Sequence, residues 1–299
     1  MFIIKYGIET VNIDVTNICL TKLCFNNIIK IPEKDDNRAH YFGDPLLGIL
    51  KSIFITNNLG QTTEYNEKME ILINIETEII TAVDNDFYEN KLETIHNSVK
   101  LDFGSFKEEY PEQIMAIKYL TGNEKVLEIG GNIGRNTLVI ASILKENCKH
   151  FVSLESDSFI SSQLIHNRDI NKFNFHIENS ALSKRQLMQR GWDTIVVTDG
   201  ILDGYNPVNT INFSELYSKY NIDFDTLILD CEGAFYYILM DMPEVLNNIN
   251  LIIMENDYWD INKKNFVDNI LLQNGFKVDY RKHGGWGPCF DKFYEVWKR

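Results

Sequence analysis

The sequence predicts an α/β chain: a doubly wound, mostly parallel sheet that ends in an antiparallel strand, preceded by a small β-rich N-terminal domain. Three observations carry this. From Lys125 onward, short apolar runs alternate with helical segments, the rhythm of repeated βαβ units. The last two apolar runs, residues 276–281 and 293–297, have no helix between them, so one of them must run antiparallel. Before residue 76 the apolar residues instead alternate with period two and are punctuated by Asp, Asn, Gly and Pro.

In the N-terminal part, residues 2–5, the alternating Val11, Ile13 and Val15, then residues 27–31 and 69–75 read as strands. Lys34-Asp35-Asp36-Asn37 and Phe42-Gly43-Asp44-Pro45 carry tight-turn chemistry, and Thr77 is placed to cap a short helix through Ile80 and Val83. The division falls at residues 1–85 for the accessory domain and 86–299 for the larger domain with its connecting helix. Pro111 then opens a helix whose Ile114, Ile117 and Leu120 share one face, and Gly122-Asn123 stops it. The runs 126–129, 151–154, 174–177, 226–229 and 251–254 are short, apolar and unalternating, as expected of strands covered on both faces.

Composition narrows the function. Hydrophobic residues make up 44% and charged residues 24%, enough to fill cores in two domains of a 299-residue chain. The formal charge of -14 repels phosphate backbones and anionic membrane surfaces, and no run of Lys and Arg offsets it, so nucleic acid is not expected as a partner. The five cysteines, Cys19, Cys24, Cys148, Cys231 and Cys289, never stand as C-x-x-C, which speaks against a disulfide framework or a structural zinc site. No stretch has the roughly 18 consecutive apolar residues of a spanning helix, so no membrane insertion is expected and a soluble, cytoplasmic protein is.

The strongest motif is Val126-Leu127-Glu128-Ile129-Gly130-Gly131-Asn132-Ile133-Gly134, a strand running into a glycine-rich turn and a helix that starts near Asn136. Such a turn brings backbone close to a ligand and aims free N–H groups at it. The spacing excludes G-x-G-x-x-G, because Asn132 and Arg135 stand where the second and third glycines belong. Glu155 closes the following strand, with Ser156 after it, where a carboxylate accepts ribose hydroxyls. Small and amide side chains at Asn179, Ser180 and Ala181 suit the edge of an adenine slot. The second specific motif is the apolar strand into Asp230-Cys231-Glu232-Gly233, which delivers two carboxylates to one strand end.

Together with residues 251–255 these motifs resemble the FkbM family of methyltransferases, over about residues 103–297. The resemblance implies a Rossmann-like methyltransferase sheet, S-adenosyl-L-methionine as donor, and O-methylation of a sugar or glycan hydroxyl. It departs from the family where Glu128, Gly131 and Phe235 stand, which puts the acceptor in question. On this reading Glu128, Gly130, Asn132, Gly134, Asn136, Glu155, Ser156, Ser180 and Ala181 hold the donor. Asp230 stands on the acceptor side with Glu232 as its polar support.

Elementary chemistry leads to similar needs, since an alkyl hydroxyl is a weak nucleophile and wants a base or a metal. Asp230, Glu255 and Asp257 are the metal candidates, for Mg²⁺ or Mn²⁺. His283, in the loop before the final strand, is a candidate for acceptor binding or base, and Trp286 for a stacking platform; the other histidines show no ligand spacing. Tyr110-Pro111-Glu112 is a helix start within reach of the donor's amino acid end. The partner expected is a small-molecule or oligosaccharide acceptor, with the N-terminal domain serving docking, acceptor binding or homodimer formation. The alternatives are a scaffold that keeps the fold without catalysis, and a methyltransferase with a protein or other small-molecule acceptor.

Overall fold

A computed structural model describes residues 2–25 and 27–299. The chain divides into two compact units, Met1–Asn90 and Lys91–Arg299. The division after Asn90 falls within a helix, five residues past the position read from sequence.

The first unit contains, in chain order, β1 (Ile3–Gly7), β2 (Asn12–Asp14), α1 (Thr16–Lys22), β3 (Cys24–Phe25), β4 (Ile28–Ile31), α2 (Asp35–Phe42), β5 (Ser52–Thr56), β6 (Thr62–Tyr65), β7 (Met69–Asn74), β8 (Ile80–Asp84) and the start of α3 (Asn85–Ser98). Its strands form two antiparallel four-stranded sheets, ordered β2-β1-β5-β6 and β3-β4-β7-β8. The alternating pairs Ile4 and Tyr6, Ile29 and Ile31, Ile53 and Ile55, and Ile71 and Ile73 point inward and make one core. Two expectations fail here. Asp35 to Asn37 do not stay a turn: both aspartates favour the positive end of a helix and α2 begins at once. Thr77 caps no helix, because Asn74 Oδ1 accepts the N–H groups of Glu76 and Thr77 and folds the chain back, so that Ile80 faces Ile73 as strand β8.

The second unit continues α3 with α4 (Tyr110–Tyr119), β9 (Val126–Ile129), α5 (Arg135–Leu144), β10 (Phe151–Leu154), α6 (Ser158–Ile170), β11 (His176–Glu178), β12 (Ala181–Leu182), β13 (Leu187–Arg190), β14 (Asp193–Val196), β15 (Asn206–Val208), β16 (Thr210–Ile211), α7 (Phe213–Tyr220), β17 (Thr226–Leu229), α8 (Phe235–Asp241), β18 (Leu251–Glu255), α9 (Ile261–Gln273), β19 (Lys277–Lys282) and β20 (Tyr294–Lys298). Its main sheet has seven strands in the order β11-β10-β9-β17-β18-β20-β19, parallel except for β20, which is antiparallel to both neighbours. Strand order reverses between β9 and β17, the place where such sheets bind ligands at their carboxyl ends.

Both faces of this sheet are covered. Leu127, Ile129, Leu227, Leu229, Ile252 and Met254 pack on Phe235, Ile238 and Leu239 of α8 and Val267 and Leu271 of α9. The alternate residues of the central strands, Glu128 among them, turn to the other side, where Thr137 of α5 meets Glu128. Between β11 and α7 the chain makes an excursion not foreseen from sequence. Antiparallel strands β14-β13-β15 form a small sheet of their own, and the parallel pair β12–β16 closes its base.

The carboxyl end of β18 is braced from beneath. Glu295 of β20, fully buried, accepts from Lys264 Nζ at 2.6 Å, Asn256 Nδ2 at 3.0 Å and Arg281 Nη2 at 2.6 Å, while Lys264 also pairs with Asp268. Removing one partner of a buried ion pair strands the other charge. Glu295→Ala should therefore lower unfolding stability by about 3 kcal/mol or more in urea denaturation, far beyond a surface substitution.

Candidate functional site

The glycine turn after β9 is held against two neighbouring strands. Gly130 and Gly131 N–H both donate to the Leu154 carbonyl, at 3.0 and 2.9 Å, and Asp230 N–H donates to the Ile129 carbonyl at 3.1 Å. Gly130 sits at φ +92°, and a Cβ there would lie 1.6 Å from the Asp230 carbonyl oxygen, so no side chain fits. Asn132 follows at φ +47°, its Oδ1 taking the Ile133 N–H.

Beside the turn a cavity of about 520 Å³ opens at the carboxyl ends of β9, β10 and β17. Of the residues singled out from sequence, Gly130, Asn132, Glu155, Ser156, Ser180, Ala181, Asp230 and Glu232 line it. Glu155 Oε2 accepts the Asn132 N–H and Oε1 the Asp157 N–H, at 2.9 and 2.8 Å, which locks this carboxylate to the turn. Burial raises its pKa above the usual carboxylate range. A carboxylate has about four lone-pair positions, so after the backbone donors Asn132, Asp157 and Ser156 one remains for a ligand.

The other sequence candidates stand elsewhere. Glu128 is buried under the turn, where Oε2 accepts from Thr137 Oγ1 and Ser153 Oγ; burial pushes its pKa up to about 8. Gly134 caps α5 at φ +101° and packs on Leu164, and Asn136 lies buried in the first turn of that helix. Neither lines the cavity. His283 is exposed on the β19–β20 loop, near the Phe290 ring. Trp286, on the same loop, leans on exposed Trp259 with ring centroids 4.2 Å apart.

Residues that sequence reasoning passed over complete the walls. Gln189, Trp192, Thr194, Ile195 and Val196 reach the cavity from β13, β14 and their connecting turn, Arg185 from just before β13, and Tyr237 from α8. Arg185 pairs with Asp241 and lies over the Tyr237 ring. None belongs to a motif, and residues 187–196 show no apolar alternation that marks them as strands. Glu109, which accepts from Arg135 at 2.8 Å and from Asn132 Nδ2 at 3.3 Å, likewise escaped notice.

At the β17 and β18 ends, carboxylates crowd together. Ligand oxygens of Asp230, Glu255 and Asp257 all lie within 4.8 Å of one another. Burial is the largest cause in each case and raises Asp230 well above its usual value, Glu255 to about 12, Asp257 upward and Glu232 to about 7; neighbouring acids add to the rise at Asp230, Glu255 and Glu232, whereas hydrogen bonds with Glu255 and Glu232 oppose it at Asp257. Burial and the same acids also raise the Tyr294 phenol.

No protein-family model matches the chain, and no curated protein matches it. Solved structures similar to it include a putative O-methyltransferase from Klebsiella pneumoniae, with 13% identity, 71% of this chain and 88% of that one covered, and a TM-score of 0.38. An O-methyltransferase from Bacillus cereus, solved with SAH, shows 14% identity, 72% and 91% coverage and a TM-score of 0.41. Fibrillarin from Aeropyrum pernix, solved with S-adenosyl-L-methionine, shows 9% identity, 77% and 93% coverage and a TM-score of 0.40. The second unit is an α/β fold whose seven-stranded sheet is parallel except for β20. Among the described residues no helix is long and apolar enough to cross a membrane.

The buried Glu128 has a consequence for stability. The folded chain keeps a proton there that the unfolded chain releases near the ordinary glutamate value. Its contribution is whole below that value, shrinks as pH rises, and is gone above about 8. Urea denaturation between pH 6 and 8 should show wild type losing about 1 kcal/mol per pH unit that Glu128→Gln does not lose.

Proposed function

We propose that the chain is an S-adenosylmethionine-dependent methyltransferase that transfers a methyl group to a hydroxyl. What carries this reading is that the glycine turn, Glu155 and Asp230 with Glu232 all face one cavity. Its volume suits a ligand of nucleoside size. The residues fit the donor: a turn too tight for any Cβ admits backbone close to its amino acid end, and Glu155 offers its remaining lone pair to a ribose hydroxyl. Ser180, Ala181 and Leu182 give the small, mostly apolar wall that an adenine ring requires. When bound, the donor supplies an electrophilic methyl group on a sulfonium centre. The carboxylates of Asp230 and Glu232 favour such a cationic ligand in this cavity.

Within this reading, Glu128 acts from below, fastening the turn to β10 and α5 through Ser153 and Thr137. Gly134 and Asn136 shape the start of α5. Asp230 accepts the hydrogen bond of the acceptor hydroxyl, and Glu232, on a left-handed residue at φ +50°, orients it. The acceptor class we assign is a sugar or glycan hydroxyl. Its support is the resemblance of the D-x-E-G motif to FkbM methyltransferases and the exposed Trp259–Trp286 pair, two rings tilted by 43° that offer aromatic surface for stacking. His283, on the same loop, belongs to the acceptor side.

Calorimetry with S-adenosylhomocysteine tests the donor site: wild type should bind, and Glu155→Ala should weaken binding roughly 10- to 100-fold with the far-ultraviolet dichroism unchanged. A wild-type chain that takes up neither donor nor product ends the enzymatic reading. Transfer of labelled methyl to a panel of oligosaccharides then decides the acceptor class.

A further inference from the structure

Four acidic side chains from three elements meet at the carboxyl ends of β17 and β18, and one of them, Asp230, lines the cavity. Asp230 follows β17, Glu255 ends β18 with Asp257 two residues on, and Glu112 arrives from the first turn of α4. The first three bring ligand oxygens within 4.8 Å of one another, and Glu112 lies at hydrogen-bonding distance from Glu255. Two oxygens in this group have no partner: Glu112 Oε2, on a side chain 6% exposed, and Asp257 Oδ1, on one 7% exposed. A buried carboxylate oxygen without a donor costs free energy, and here two such oxygens come from separate elements. No Lys or Arg is among the charges that act most strongly on Asp230, Glu232, Glu255 or Asp257. Elsewhere in this unit buried acids have donors: Glu295 has Lys264 and Arg281, Glu178 has Lys219, Glu128 has two hydroxyls and Glu155 has backbone N–H groups.

We infer that Glu112, Asp230, Glu255 and Asp257 form a binding site for one hard divalent cation, Mg²⁺ or Mn²⁺. Only oxygen ligands are present, which selects hard cations over those that prefer sulfur or imidazole. Ligands on opposite sides of such an ion stand about 4 to 5 Å apart, so the three clustered oxygens can converge on it by side-chain rotation alone. The ion would take the place of the protons that crowding otherwise holds in this group and would satisfy both orphan oxygens. Because Asp230 also lines the cavity, the ion stands where a hydroxyl oxygen can reach it and lose its proton more readily. That last role rests on the methyl-transfer reading; the site itself does not.

Chelator-treated full-length protein titrated with Mn²⁺, followed by the electron paramagnetic resonance of free Mn²⁺, reads the site directly. One ion per chain is expected, with Mg²⁺ competing, and thermal unfolding should shift upward as Mn²⁺ is added. Glu255→Gln and Asp257→Asn should each weaken Mn²⁺ binding about tenfold or more while S-adenosylhomocysteine affinity, measured by calorimetry, stays within about twofold of wild type. Wild type that neither depletes free Mn²⁺ nor shifts its unfolding at millimolar metal overturns the inference and leaves the carboxylates as a proton-sharing cluster. Undiminished binding by both variants overturns it too, since the ion then sits elsewhere. Donor-product binding without metal binding removes this site alone, and metal binding without donor-product binding removes only the methyl-transfer reading.

Discussion

The second unit depends on one close contact: the backbone of Gly130 against the carbonyl of Asp230, with no room for a β-carbon between them. It follows from adjacent parallel strands, β9 and β17, ending at the same level, with Asp230 N–H bonded to the Ile129 carbonyl. Two requirements meet there. The turn must bend at positive φ to feed α5, and Asp230 must leave its strand in register to face the cavity. Glycine alone meets both at no steric cost. Glu155 extends the same logic sideways, its backbone hydrogen bonds tying the turn to the end of β10. The turn, Glu155 and Asp230 are thus parts of one junction.

The electrostatics of that junction are one-sided. Its two ends differ in how they satisfy buried acids: Glu128 by hydroxyls and a proton, the β17–β18 group by crowding without a basic partner. Burial drives both upward in pKa, but only the second group opens toward a cavity. A field of this sign favours cations over phosphates, in keeping with the formal charge of -14 of the whole chain.

Much of this junction was legible in the sequence because it is local. Glu128 to Gly134, Glu155 and Asp230 to Gly233 are short strand-plus-turn units whose geometry follows from residue type, and the unpaired final strands announced the antiparallel member. What escaped reading depends on partners far along the chain. Strand β8 looked helical until β7 is set beside it, and α2 looked like a turn because Asp and Asn serve both purposes. Glu128 read as a ligand contact because its motif position is next to the turn, yet side chains alternate along a strand and this one faces α5. The walls contributed by Gln189, Trp192 and Thr194 have no motif at all, since a wall needs only shape.

The small sheet of β13 to β15 leaves and rejoins the main body at adjoining points, because Ala181 pairs with Thr210 and Leu182 with Ile211. An excursion clamped at its base closes its loop there, so its length and composition change at little entropic cost to the large sheet. It nevertheless supplies one flank of the cavity. The shape of that flank can therefore change within the excursion while the junction of Gly130, Glu155 and Asp230 stays as it is.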